Sequence, residues 1–166
     1  RGGLPLIFNF MNNHYGMGGQ PYGETMGFEM LARLGAGVNP EQMHAERIDG
    51  YNPLAVIEAF TRKKKIIEEK KGPVLLDTLT YRISGHSPSD ASSYRDKEEI
   101  ELWAKEDSIV SFSGLLTEHN IASESDLEAM RDRTAATIFR AYKLAINDAV
   151  SPRMDLRSSP DAIERF

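Results

Sequence analysis

With 166 residues, 40% of them hydrophobic and 27% charged, the chain is long enough to bury a core and too mixed in composition for a disordered or fibrous protein. Its 25 acidic against 20 basic residues leave a net charge of −5, which offers no electrostatic footprint for nucleic acid or an anionic membrane surface. The absence of cysteine excludes disulfides, thiolate metal sites and thiol nucleophiles, and agrees with a reducing compartment, the cytoplasm by default.

The chain opens at Arg1-Gly2-Gly3 with neither a methionine nor an apolar signal region, as a processed or truncated product would. Leu4 to Met11 is its most apolar stretch, interrupted by Pro5 and Asn9 and too short to span a bilayer. It predicts a buried strand ending at the turn-prone pair Asn12-Asn13. Four glycines between Gly16 and Gly23 make a loop, Glu24 to Leu34 predicts a helix, and Gly35-Ala36-Gly37 stops it. His44 to Ile48 is a short strand candidate. Asn52-Pro53 then starts a helix, with asparagine as cap and proline in the first turn. Leu54, Ile57, Ala59 or Phe60 and Ile66 or Ile67 recur at helical spacing up to Gly72-Pro73, and Arg62 to Lys65 and Glu68 to Lys71 read as solvated stretches.

Val74 to Tyr81 is a second strand, and strand, helix, strand at this spacing predicts a parallel crossover and the α/β class. Ile83 to Tyr94 holds five serines, one glycine and one proline in twelve residues, a long surface loop of the kind that is either functional or disordered. Helices are expected over Lys97 to Ala104, Ser108 to His119 and Ser123 to Ala149, the last opened by a capping box of Ser123 and Asp126. Along it Leu127, Met130, Thr134, Ile138, Ala141 and Ala145 form one stripe, and Met26, Met30, Met43 and Met130 read as core filling.

Two polar clusters follow the two strands: Asn12, Asn13, His14 and Tyr15, then Arg82, His86, Ser87, Ser89 and Asp90. In open parallel sheets ligands bind at the carboxyl ends of strands, where both clusters fall. Asparagine and backbone carbonyl oxygens suit Mg²⁺ or Ca²⁺, and arginine and histidine suit phosphate, so the pair of clusters points to a metal diphosphate. No Gly-x-Ser-x-Gly elbow activates any of the serines, and the glycines after Tyr15 lack both the Walker and the dinucleotide pattern.

Asn12-Asn13-His14-Tyr15-Gly16-Met17-Gly18, Glu46-Arg47-Ile48-Asp49-Gly50, Gly72-Pro73-Val74-Leu75-Leu76 and Thr80-Tyr81-Arg82-Ile83-Ser84-Gly85-His86-Ser87, followed by Ser89-Asp90 and Tyr94-Arg95, occur in that order. Together they resemble the C-terminal half of the alpha subunit of thiamine diphosphate-dependent 2-oxo acid dehydrogenases, the E1 component, of the pyruvate and branched-chain type. The resemblance implies an α/β thiamine diphosphate-binding fold, a parallel sheet flanked by helices, incomplete in this chain and followed by a helical C-terminal part. Residues 1–95 would be the second half of the cofactor domain, 96–150 a helical extension packing on it and 151–166 an irregular tail.

By resemblance the side chain of Asn13 and the backbone carbonyl of Tyr15 are Mg²⁺ ligands, and Arg82 and His86 face the diphosphate of thiamine diphosphate, with His86 near the reacting carbon. Ser87, Asp90, Tyr94 and Arg95 belong to the loop that shapes the approach of the lipoyl domain of E2, and Ser87 and Ser93 match serines phosphorylated in animal members. The family's Gly-Asp-Gly half-motif, with its aspartate ligand, is not in the sequence, so a companion N-terminal half is expected as a partner beside the E1 beta subunit, in an α₂β₂ assembly. The implied reaction is decarboxylation of a 2-oxo acid, pyruvate being favoured, with acyl transfer to the lipoyl group. An acetoin-cleaving relative or a non-catalytic interaction fragment are the alternatives. The expected site of action is the bacterial cytoplasm, or the mitochondrial matrix in a eukaryote.

Overall fold

A computed structural model describes residues 4–16, 27, 29–38, 43–153, 155 and 157–158. The chain forms two compact units, residues 1–114 and 115–166. In the first, strands β1 (Ile7–Asn12), β2 (His44–Asp49) and β3 (Val74–Leu79) make a fully parallel sheet in the order β1-β3-β2. Val74 faces Ile7 on one side and His44 on the other, and the register runs without a bulge to Leu79, which faces Asn12 and Asp49. All three strands therefore end at one level, and the segments leaving them start side by side.

Helices α1 (Ala32–Val38) and α2 (Pro53–Glu68) cover the two faces of the sheet. Alternation along β3 sends Leu76 one way and Leu75 the other, so a strand covered on both faces is buried along its length, and the polar residues it carries must be paired inside. Five of its six residues are buried. Under α2, Leu76, Ile48 and Ala59 form the core, joined by Ile7, Val56 and Phe60. Helix α2 starts where Asn52 accepts hydrogen bonds from the N–H groups of Leu54 and Ala55 at 3.1 and 3.2 Å, with Pro53 in the first turn. On the opposite face Leu34 and Val38 of α1 meet Phe8, Phe10, Met43 and Leu75 around an apolar cavity of about 280 Å³.

Two further helices follow, α3 (Lys97–Lys105) and α4 (Ser108–Glu118), and then α5 (Glu124–Ala145). In the second unit α5 opens with the expected capping box between Ser123 and Asp126. Of its expected stripe only Leu127 is buried, while Met130 and Ile138 are exposed.

Several sequence expectations are corrected. The first helix begins at Ala32, not Glu24: Gly27, Glu29 and Met30 are not helical, and residues 17–26 and 28 lie outside the described residues, as does most of the glycine loop. Gly35 does not stop that helix but lies within it, because a Cβ there would sit 2.4 Å from the Ala45 Cβ; the helix approaches β2 at a distance only glycine permits. β1 is not a buried strand here, since Phe8, Phe10 and Met11 on this edge of the sheet are exposed. Met30 and Met130 are exposed as well. Lys63 is not part of a solvated face: it is buried and paired with Glu46 at 3.0 Å, beside the Arg62–Glu46 pair. Among the described residues no helix is long and apolar enough to cross a membrane.

Candidate cofactor site

The site starts at the carboxyl end of β1. Past the last ladder pair the Asn12 carbonyl still accepts from the Thr80 N–H at 2.9 Å, so the segments after β1 and β3 leave the sheet together. Asn13 then closes a tight turn: its side-chain oxygen accepts from the Tyr15 N–H at 3.1 Å, with His14 between them in the left-handed region at φ 68°. One turn thus presents two neutral oxygens, the Asn13 carboxamide and the Tyr15 carbonyl.

Arg82, just beyond β3, reaches this turn. Its guanidinium donates to the Tyr15 carbonyl at 3.0 Å, and its backbone N–H lies 3.4 Å from the Asn13 carbonyl. The loop that follows is held back against the same residue. Arg95 is 7% exposed, packs its guanidinium 5.2 Å from the Tyr15 ring centre, and donates to the Arg82 and Ile83 carbonyls and to the Ser92 hydroxyl. The Tyr94 ring lies 5.8 Å from that of Tyr15, and its hydroxyl donates to Asp90 at 2.8 Å. Asp90 also accepts from the His86 N–H at 2.7 Å and the Ser92 N–H at 2.8 Å. These bonds to His86, Ser92 and Tyr94 hold its carboxyl down at about 2, below its ordinary 3.8. Gly85 fits under Asp90 so closely that a Cβ would meet the Asp90 carbonyl oxygen at 2.7 Å.

The two clusters predicted from sequence therefore meet at the carboxyl end of the sheet. Asn13, Tyr15 and Arg82 touch directly; His86 joins through the chain Asp90, Tyr94, Tyr15 and is itself exposed. Ser87 is exposed, its hydroxyl 3.1 Å from that of Ser89 within the loop. Arg95 and Tyr94 point inward, as parts that set the loop's shape.

Sequence reasoning missed three contributors. Helix α3 brings Glu99, whose carboxylate accepts the Tyr15 phenol at 2.9 and 3.1 Å, and Trp103, stacked on Tyr81 at 5.2 Å between ring centres. Burial, and then the Glu99 hydrogen bond, push the Tyr15 phenol well above its usual range, so it stays protonated and donates. The turn after β2 adds Tyr51, 5.3 Å from Trp103. Glu99 and Trp103 stand one helical turn apart on one face, and that spacing, with the chain's single tryptophan, was the available signal.

The third missed feature is Asp77 in the middle of β3, with no exposed surface. Its carboxylate accepts from the Asn12 side chain at 3.0 Å, Arg47 at 2.8 Å and the Ala32 N–H at 3.3 Å, and Arg47 also donates to the Glu29 carbonyl. One buried charge ties all three strands to the start of α1.

The donor set allows a test of fit for a divalent cation. Among the described residues no three His, Cys, Asp or Glu side chains cluster as a metal site. The oxygens of Asn13 and Tyr15 each keep a second lone pair beside the hydrogen bond they accept, and neutral oxygens suit Mg²⁺. With the Arg82 cation already on Tyr15, a second cation fits only together with an anion that neutralises both, as a diphosphate would.

A family profile described as "Dehydrogenase E1 component" matches residues 2–152. The chain belongs to this family. Its sheet with helices on both faces is an α/β fragment of the E1 component domain. The E1 component chain is 32% identical over 151 residues to the Caenorhabditis elegans protein named "Probable pyruvate dehydrogenase E1 component subunit alpha, mitochondrial", covering 90% of this chain and 36% of that protein. It is 27% identical over 154 residues to the pyruvate dehydrogenase E1 component subunit alpha of Rickettsia bellii, covering 93% and 46%. To the 2-oxoisovalerate dehydrogenase subunit alpha of Bacillus subtilis it is 30% identical over 145 residues, covering 87% and 43%. The chain spans less than half the length of these relatives, and membership of the E1 component family implies thiamine diphosphate as the cofactor.

Proposed function

We propose that this chain is the C-terminal part of an alpha-type E1 subunit that decarboxylates a 2-oxo acid, pyruvate being favoured, and passes the acyl group to a lipoyl domain of E2. The observation that carries the reading is the hydrogen bond from Arg82 to the Tyr15 carbonyl, which joins the asparagine turn to the histidine loop at the carboxyl end of the sheet. The names of two of the quoted relatives favour pyruvate, and the third names a branched-chain 2-oxo acid.

In this reading thiamine diphosphate supplies the carbanion-stabilising chemistry of the decarboxylation. The Asn13 side chain and the Tyr15 carbonyl would hold Mg²⁺, and Arg82, which donates to that carbonyl, would hold the diphosphate beside it. His86, carried at the exposed part of the loop, would donate to the diphosphate or move a proton beside the reacting carbon. Asp90, Tyr94 and Arg95 hold the loop in the shape that Ser87 and its neighbours present to the lipoyl domain. Residues 1–95 are taken as half of the cofactor domain. The other half, bearing Gly-Asp-Gly, and a beta subunit complete it, in a bacterial cytoplasm or a mitochondrial matrix.

The test is catalytic. The full-length subunit assembled with its beta partner is supplied with pyruvate, branched-chain 2-oxo acids and acetoin, with and without Mg²⁺ and thiamine diphosphate. Decarboxylation of a 2-oxo acid that needs both supports the reading, and His86→Ala should lose most of the lipoyl transfer. Turnover of acetoin alone, or none with any substrate, overturns it.

A further inference from the structure

Tyr15 is tied at three points. Its N–H binds the Asn13 side chain and its carbonyl accepts from Arg82, both within the two converging segments; its phenol leaves them and ends on Glu99 of α3. Both carboxylate oxygens lie within reach of that hydroxyl, at 2.9 and 3.1 Å, so the ring can neither rotate away nor slide without losing the contact. A charge-assisted bond of this kind is stronger than a neutral one, and Tyr15 is only 7% exposed, so water replaces it poorly.

The turn needs such an anchor. His14 holds a left-handed conformation that residues other than glycine keep only when their surroundings enforce it. The Tyr15 ring and the carbonyl that faces Arg82 branch from one Cα, so a phenol held by Glu99 and a ring packed among Tyr81, Tyr94 and Arg95 restrict how far that carbonyl can move. Trp103, on the same face of α3, stacks on Tyr81, which lies 5.7 Å from the Tyr15 ring; the helix therefore grips the segments after β1 and β3 together.

We propose that Glu99 is a positioning residue for the cofactor turn, an inference that rests on the cofactor reading above: by accepting the Tyr15 phenol, α3 holds the Asn13 and Tyr15 oxygens in the arrangement that binds Mg²⁺ and the diphosphate. Glu99 touches neither cofactor nor substrate in this account and acts through Tyr15.

The full-length subunit, assembled with its beta partner, is titrated with thiamine diphosphate at fixed Mg²⁺. Glu99→Ala should raise the dissociation constant by about tenfold, the equivalent of one charge-assisted hydrogen bond. Glu99→Gln, whose amide oxygen still accepts, should recover part of the loss. Tyr15→Phe should match Glu99→Ala, and the double variant should be no worse than either alone, because both remove one contact. Wild-type affinity in Glu99→Ala, or losses that multiply in the double variant, would overturn the role. If Glu99→Ala does not assemble, Tyr15→Phe and Glu99→Gln decide in the same way, unchanged binding in both counting against it. An assembled wild type that binds no cofactor would bring down the whole reading, whereas weakened Asn13→Ala beside unaffected Glu99 and Tyr15 variants would remove only this inference.

Discussion

At the scale of single residues, Asp90 does more to shape the histidine loop than its half-buried setting suggests. Its carboxylate collects the N–H groups of His86 and Ser92 and the Tyr94 hydroxyl, and its folded value of about 2 lies below the ordinary 3.8. A depressed carboxyl stabilises the fold above its unfolded value and loses that contribution as pH falls through the folded one. The loop should therefore keep its His86 and Ser92 amides protected from exchange at pH 3.8 and release them only as pH falls toward 2. Hydrogen exchange corrected for intrinsic rates checks this, and release complete by 3.8 would contradict it. Asp90→Asn should abolish the pH dependence. Asp77 is the opposite kind of carboxylate, buried and facing Arg47 across the β2–β3 pairing. Arg47→Ala should cost about 3–5 kcal/mol in urea unfolding of the full-length subunit, because it strands a buried charge, while replacing both partners with apolar residues should cost far less.

At the scale of elements, what the sequence made legible and what it hid have distinct physical reasons. Strand β3 and the start of α2 were readable because their signals are local: a short β-rich apolar run after Gly72-Pro73, and an asparagine cap ahead of Pro53. The two polar clusters that contain Asn13, Tyr15, Arg82 and His86 were legible as neighbours because strand ends in a parallel sheet bring their loops together, whereas the roles of those four residues came only from the family resemblance. Helix α1 was misplaced because Gly35 reads as a stop in one dimension, whereas its reason is Ala45 on a strand ten residues away. Gly35→Ala decides between the readings. Helix propensity alone would stabilise by about 1 kcal/mol. Overpacking against a backbone-anchored Cβ at 2.4 Å costs about 1–3 kcal/mol and should win, so the variant should melt lower than wild type. Glu99 and Trp103 escaped notice for a similar reason, since the partners that give them meaning lie 84 residues away for Glu99 and across three loops for Trp103.

At the scale of the whole molecule, the three-stranded sheet leaves Phe8, Phe10 and Met11 exposed on β1 and presents two neutral oxygens, from Asn13 and Tyr15, fewer than the six that the Mg²⁺ of the proposed reading would take. Both are what a domain shared with further chain would present, and both agree with a sequence that spans less than half of its E1 relatives. In the proposed reading the site's logic is that of charge: Arg82 rests on the Tyr15 carbonyl, and a diphosphate would bring the anion that both this guanidinium and a metal ion beside it need. Calorimetric titration of thiamine diphosphate into the assembled full-length protein, with and without Mg²⁺, tests this most directly. The account predicts binding that requires Mg²⁺ and weakens in both Asn13→Ala and Arg82→Ala; binding equally tight without the metal, or in both variants, would contradict it.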